Sequence, residues 1–162
     1  MNLVALAPHW LVVIMLFLLL AAATEDAWRM QISDSFSVAI LLGAGLAILL
    51  AGPAWSLWQN MALVLAVLVV GTFLFARGGM GGGDVKLMGA ASLWFDWSMG
   101  WRMLVAVALA GGLEAILVTL IRLLPWSDGA RSRVALRQRQ EGLPYGIAIA
   151  AGVALSIWQS WR

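Results

Sequence analysis

Apolar residues in this chain fall in long unbroken runs, with neither the alternation of a half-buried strand nor the one-sided stripe of a soluble helix. Runs near the 17 to 25 residues needed to cross a hydrocarbon core cover Leu3 to Ala23, Phe36 to Ala51, Leu57 to Ala76, Met103 to Leu124 and Leu143 to Trp161, the second being short. A further run, Val85 to Phe95, follows a glycine-rich break at residues 78–83. It predicts either a sixth span, extending past Asp96 to about residue 100, or a re-entrant segment.

The distribution of basic residues separates these two readings, because cytoplasmic loops carry the excess of Lys and Arg. Six spans with the N-terminus outside put Arg29, Arg77, Lys86, Arg122, Arg131, Arg133, Arg137 and Arg139 inside, against Arg102 and Arg162 outside. A re-entrant segment inverts everything after it and leaves five on each side, which is no bias at all. The pattern therefore predicts an all-α, polytopic integral membrane protein with spans at about 3–23, 36–51, 57–76, 85–100, 103–124 and 143–161, forming a single transmembrane domain.

Composition agrees: 63% of the 162 residues are hydrophobic, 11% are charged, and the mean hydropathy is +0.94, outside the range of soluble domains. The first run ends in small residues like a signal peptide, yet no Lys or Arg precedes Arg29, so it is expected to be a retained span. Trp10, Trp55, Trp58, Trp94, Trp97, Trp101, Trp158 and Trp161 fall at outer span ends and Trp28 and Trp126 at inner ones, as an interfacial belt. Gly43, Gly45, Gly111 and Gly112 are expected at close helix contacts.

The absence of Cys excludes disulfides, thiolate metal sites and Cys nucleophiles. A lone histidine, His9, is a poor start for a metal site or a Ser-His-Asp triad. Nucleic acid is a poor partner for a chain with no soluble domain to present base contacts. The basic stretch Arg131, Arg133, Arg137 and Arg139 reads as an orienting loop attracted to anionic lipid.

Chemistry is left to carboxylates. In the six-span arrangement Asp26, just after span one, and Asp84, at the start of span four, share the cytoplasmic boundary. Acids at such positions are functional candidates. Two carboxylates brought within a few ångströms cannot both ionise comfortably, and the pair can hold a water for which one acts as base while the protonated partner polarises a carbonyl. Gly81, Gly82 and Gly83, with no Cβ, allow an extended peptide to come close. Non-helical backbone at membrane depth also implies an aqueous recess. A flexible turn in which Asp84 merely caps span four explains the same residues equally well on these physical grounds. The segment fails as a nucleotide loop, since Lys followed by Ser or Thr is missing.

Gly81-Gly82-Gly83-Asp84-Val85-Lys86-Leu87 resembles the GxGD motif of the intramembrane aspartyl proteases, specifically of the prepilin (type IV leader) peptidases. Thr24-Glu25-Asp26 through Ile32-Ser33-Asp34 is similar to that family's first aspartate segment, with Ser33 where proline is usual. Leu143-Pro144-Tyr145-Gly146-Ile147-Ala148 resembles its last-span signature. The resemblance implies Asp26 and Asp84 as the catalytic pair, prepilins and pseudopilins as substrates, no cofactor or metal, and a bacterial inner-membrane location. The absence of an N-terminal region with paired CxxC motifs points to the compact type associated with Flp, or tight-adherence, pili, with methylation of the product not expected. Substrate contacts are assigned to Gly81, Gly82, Gly83 and Lys86, the last as a leader-binding charge or cytoplasmic anchor. Asp34, like Ser33, is expected to cap span two, and Glu25 lies off the motif spacing. Glu114, midway along span five, has no motif. A small ion- or proton-coupled transporter working through Asp84 and Glu114 is the rival reading. Oligomeric state is not legible.

Overall fold

A computed structural model describes residues 1–123 and 144–161. Among these residues the chain is entirely helical: α1 (Leu3–Leu6), α2 (His9–Arg29), α3 (Asp34–Ala51), α4 (Leu57–Ala76), α5 (Gly82–Ser92), α6 (Trp97–Leu123) and α7 (Tyr145–Ser160). Four of them, α2, α3, α4 and α6, are long and apolar enough to cross a membrane, and α7 is apolar but shorter. Their outward faces carry large apolar side chains such as Phe17, Leu49, Leu65 and Leu109, all exposed. That distribution suits helices facing lipid. The loop holding Trp126, Arg131, Arg133, Arg137 and Arg139 lies outside the described residues.

Three boundaries differ from those expected, one being the end of the first span, since α2 continues past residue 23 to Arg29 and carries Asp26 within it. The first run is not one helix, because Pro8 has no N–H and its ring restricts the preceding residue. Ala7 is accordingly extended (ψ 151°), and α2 starts at His9. The expected 85–100 span is also divided. Its helix ends at Ser92, and residues 97–100 form the first turn of α6.

Helix α5 is the centre of the bundle. From Asp84 to Ser92 every residue except Lys86 is buried, which is the pattern of a helix enclosed by others. A glycine on the neighbouring helix permits this: a Cβ on Gly71 of α4 would lie 2.7 Å from the side chain of Val85, so the two helices touch almost backbone to side chain. Of the four glycines expected at close contacts, Gly43 meets Trp94 and Gly111 meets Tyr145 and Ala148, whereas Gly45 and Gly112 face open space.

Eleven residues make α5 roughly 16 Å long, about half the thickness of a bilayer core. Its C-terminal carbonyls therefore end inside the protein, where water cannot satisfy them. The opposite end of the bundle supplies donors. Leu3 and Val4 N–H both donate to Trp94 O (3.0 and 3.4 Å), and Asn60 Nδ2 donates to Leu93 O (2.8 Å) and Met1 O (2.8 Å). Helix α1 thus stacks on the end of α5 and completes its column. Trp94, expected in the interfacial belt, is instead wholly buried and donates through Nε1 to Ile40 O of α3 at 3.2 Å; a short helix pulls its last residues inward.

Asn60 is fully buried, and its Oδ1 also accepts from the terminal amine of Met1 at 2.9 Å. Replacing it with Ala removes the donor to two carbonyls and leaves them unpaired, each costing about 1–3 kcal/mol. Thermal unfolding of Asn60→Ala in detergent is expected to show a loss of about 2–5 kcal/mol, and a melting curve equal to that of the parent protein would contradict the role given to this side chain.

Candidate active site

At the other end of the bundle three chain breaks converge: the α2–α3 loop (residues 30–33), the glycine turn before α5 and the first turn of α7. Asp26 sits one turn before the end of α2 on the face that also buries Met15, Leu19 and Ala22. Asp84 is the third residue of α5. Both carboxylates are buried, at 5% and 6% exposure, and both line the same two recesses.

One recess, of about 380 Å³, is walled by Met30, Gly78, Gly79, Met80, Gly81 and Tyr145; the other, of about 250 Å³, by Met30, Gln31, Ile32, Gly81, Gly82 and Gly83. The two acids are close enough for their charges to repel. The two aspartates singled out in the sequence thus line the same recesses, together with Gly81.

Each carboxylate is held by a backbone N–H. Gly146, in the first turn of α7, donates to Asp26 Oδ2 at 2.8 Å. The N-terminal turn of a helix has N–H groups without intrahelical partners and favours negative charge. A side chain at 146 would fill the space this bond needs, since a Cβ there would lie 3.0 Å from Asp26 Cβ and Oδ2. Asp84 Oδ2 reaches back to accept from Gly81 N–H at 3.2 Å. Its other oxygen, Oδ1, is buried and has no partner among the described residues. Asp84 thus does cap its own helix, while its second oxygen is left unbonded.

The remaining polar candidates separate. Glu25 faces the α2–α3 loop, where Oε1 accepts from Ser33 Oγ (2.8 Å) and Oε2 from Ser33 N–H (3.2 Å). Ser33 is the residue before α3 but makes no side-chain cap. Asp34 likewise turns outward and pairs with Lys86 at 2.7 and 2.8 Å, both side chains exposed. Lys86 lies beside an apolar groove between α3, α4 and α5, apart from the two recesses.

Glu114 of α6 has both oxygens buried, beside the backbone N–H of Ala148 in α7 and within electrostatic reach of Asp26 and Asp84. Sequence reasoning left Gly146, Ile32 and Tyr145 without a role. Only the motif segments Ile32-Ser33-Asp34 and Pro144-Tyr145-Gly146 pointed to them, because the contacts come from helices far apart in the chain.

Fold and site together define an all-helical membrane protein with two buried aspartates in a shared cavity at one end of its bundle, each bonded to a glycine N–H. The type IV leader peptidase family matches residues 13–121, most of the chain and both aspartates, so the chain belongs to that family and is a protease. No curated protein and no solved structure matches it.

Proposed function

We propose that this chain is an aspartic endopeptidase of the bacterial inner membrane that removes the N-terminal leader from Flp-type prepilins and pseudopilins at the cytoplasmic face. The observation that carries the reading is the enclosure of Asp26 and Asp84, from two separate helices, in one glycine-lined recess. Six crossings with the N-terminus outside account for the excess of basic residues on the side of the two aspartates, with α5 as the short crossing that α1 completes.

A water held between the carboxylates attacks the scissile carbonyl carbon. The ionised partner takes the water's proton while the protonated partner donates to the carbonyl oxygen; collapse of the tetrahedral intermediate breaks the C–N bond as the amine leaves with a proton from a carboxyl group. No covalent intermediate and no cofactor enter these steps. Gly81, Gly82 and Gly83 border the recess and give an extended leader segment room along the backbone. Of the two roles read for Lys86, its pairing with Asp34 away from the recesses supports the cytoplasmic anchor over a direct leader contact. The rival transporter reading has no support in the family match, and nothing in the geometry singles it out.

Co-expression with a Flp-type prepilin tests the proposal, with leader removal read as a gel shift. The inserted wild-type protein is expected to shorten the prepilin; a prepilin left at full length would count against this substrate class. Glu114→Gln keeps the side chain's shape, and because Glu114 bonds to neither aspartate it is expected to change the cleavage rate by no more than about threefold, under 1 kcal/mol in barrier. Loss of cleavage as complete as for an aspartate variant would place Glu114 in the chemistry instead.

A further inference from the structure

The loop that joins α2 to α3 forms one wall of the recess, and its conformation is not what four flexible residues adopt unaided. It leaves α2 through Met30 in the left-handed region (φ 53°), which side-chain-bearing residues seldom occupy unless the surroundings hold them there. It ends at Ser33 with φ −66° and ψ 133°. Between them Ile32 is wedged against both neighbouring elements. Where Gly83 would carry a Cβ, Ile32 Cβ lies at 3.1 Å and its carbonyl oxygen at 3.3 Å; its Cδ1 lies 3.3 Å from the same point on Gly146. Gly83 immediately precedes Asp84, and Gly146 holds Asp26. The position of Ile32 thus bears on both carboxylates.

Among the described residues the side-chain hydrogen bonds that fasten this loop run to Glu25 alone, through both atoms of Ser33 named above. Glu25 and Asp26 are consecutive on a helix and so project about 100° apart, one toward the loop and the other toward α7. The ion pair of Glu25 with Arg29 is long, at 3.4 Å, and Arg29 is 71% exposed, a geometry that contributes little.

We propose that Glu25 is a positioning residue: by tying Ser33 to the last turn of α2 it seats Ile32 between the glycine turn and α7, and so sets the spacing of Asp26 and Asp84. The inference rests on the endopeptidase reading for its kinetic consequence, though not for its structural one. Glu25 touches no substrate. Its carboxylate does with two hydrogen bonds what a proline at position 33 does covalently, since a φ near −65° is the value that a proline ring imposes.

This equivalence supplies the test. Glu25→Ala is expected to lower kcat for leader removal by roughly tenfold or more, as misplaced catalytic groups do, with KM little changed. Arg29→Ala, which keeps the clamp, is expected to cleave like the parent. Adding Ser33→Pro to Glu25→Ala is expected to recover most of kcat.

Because the chain has no cysteine, spin labels can be placed uniquely at Gln31→Cys and Arg77→Cys. The distance distribution between them is expected to broaden in Glu25→Ala and to narrow again with Ser33→Pro. An unchanged kcat in Glu25→Ala overturns the proposal, as does an unchanged distance distribution. A tenfold loss that Ser33→Pro fails to recover overturns it too, and makes Glu25 part of the chemistry. Should wild-type protein leave the prepilin uncut, the endopeptidase reading falls, and the distance measurement alone decides whether the clamp exists.

Discussion

With Asn in place of Asp84, a co-expressed prepilin is expected to keep its leader, the cleavage rate falling at least about a thousandfold, and Asp26→Asn is expected to do the same. Acid–base catalysis by a placed side chain contributes about 10² to 10⁴, and in a shared pair each member needs the other, so a single change removes the water's base or the carbonyl's acid. An amide is the size of a carboxylate, and Asn can still accept from Gly81 or Gly146. Folding and insertion should therefore survive, checked by protease accessibility and detergent size exclusion. The equivalence of the two variants is the discriminating result. Retained cleavage in either, with the protein inserted, would remove the aspartic mechanism. A path for protons through Asp84 and Glu114 would depend on Asp84 but leave Asp26→Asn functional.

The next largest effect is expected from a single methyl group. Gly146→Ala brings a Cβ to 3.0 Å from Asp26 Oδ2 and Cβ and 3.3 Å from Ile32 Cδ1, closer than nine in ten Cβ contacts in proteins. Asp26 or the start of α7 must move, and the 2.8 Å bond from Gly146 N–H to Asp26 must lengthen. The shift required is a few tenths of an ångström, and a misplacement of a full 1 Å costs on the order of a hundredfold in rate. The expected result is a loss of leader removal of roughly ten- to thirtyfold with little change in melting temperature. Gly112→Ala is the control, because a Cβ there meets open space and alanine favours helix over glycine. Equal activity in the two variants would show that α7 does not hold Asp26 during catalysis.

The long helices were legible because an apolar run of spanning length has one stable solution in lipid, a helix with its backbone bonds satisfied internally. Residues 57–76 were read with the same limits that α4 has. Reading failed where two physical demands met in one stretch. Pro8 interrupts an otherwise uniform run, and hydropathy does not register a missing N–H. Residues 85–100 contain enough apolar side chains for a span, yet Trp94 turns inward because α5 is too short to reach the far end of the bundle. Hydropathy cannot tell a tryptophan that faces lipid from one that faces protein.

The catalytic candidates were visible for a different reason. An acid in a glycine-rich break within apolar sequence is costly, so Asp84 stood out, and Asp26 followed from charge bias and motif spacing. Their partners were not visible. That Gly146 rather than a side chain holds Asp26, that Ser33 is bonded by Glu25 rather than capping α3, and that Lys86 is taken by Asp34 are facts of proximity between segments distant in sequence. Local pattern determined by itself that this chain is helical and membrane-embedded and marked two aspartates as candidates, because hydrophobic burial and the cost of an isolated charge act residue by residue. Only the tertiary structure decided which backbone donors face those aspartates and which loop braces them, because these interactions exist only once α2, α5 and α7 have packed.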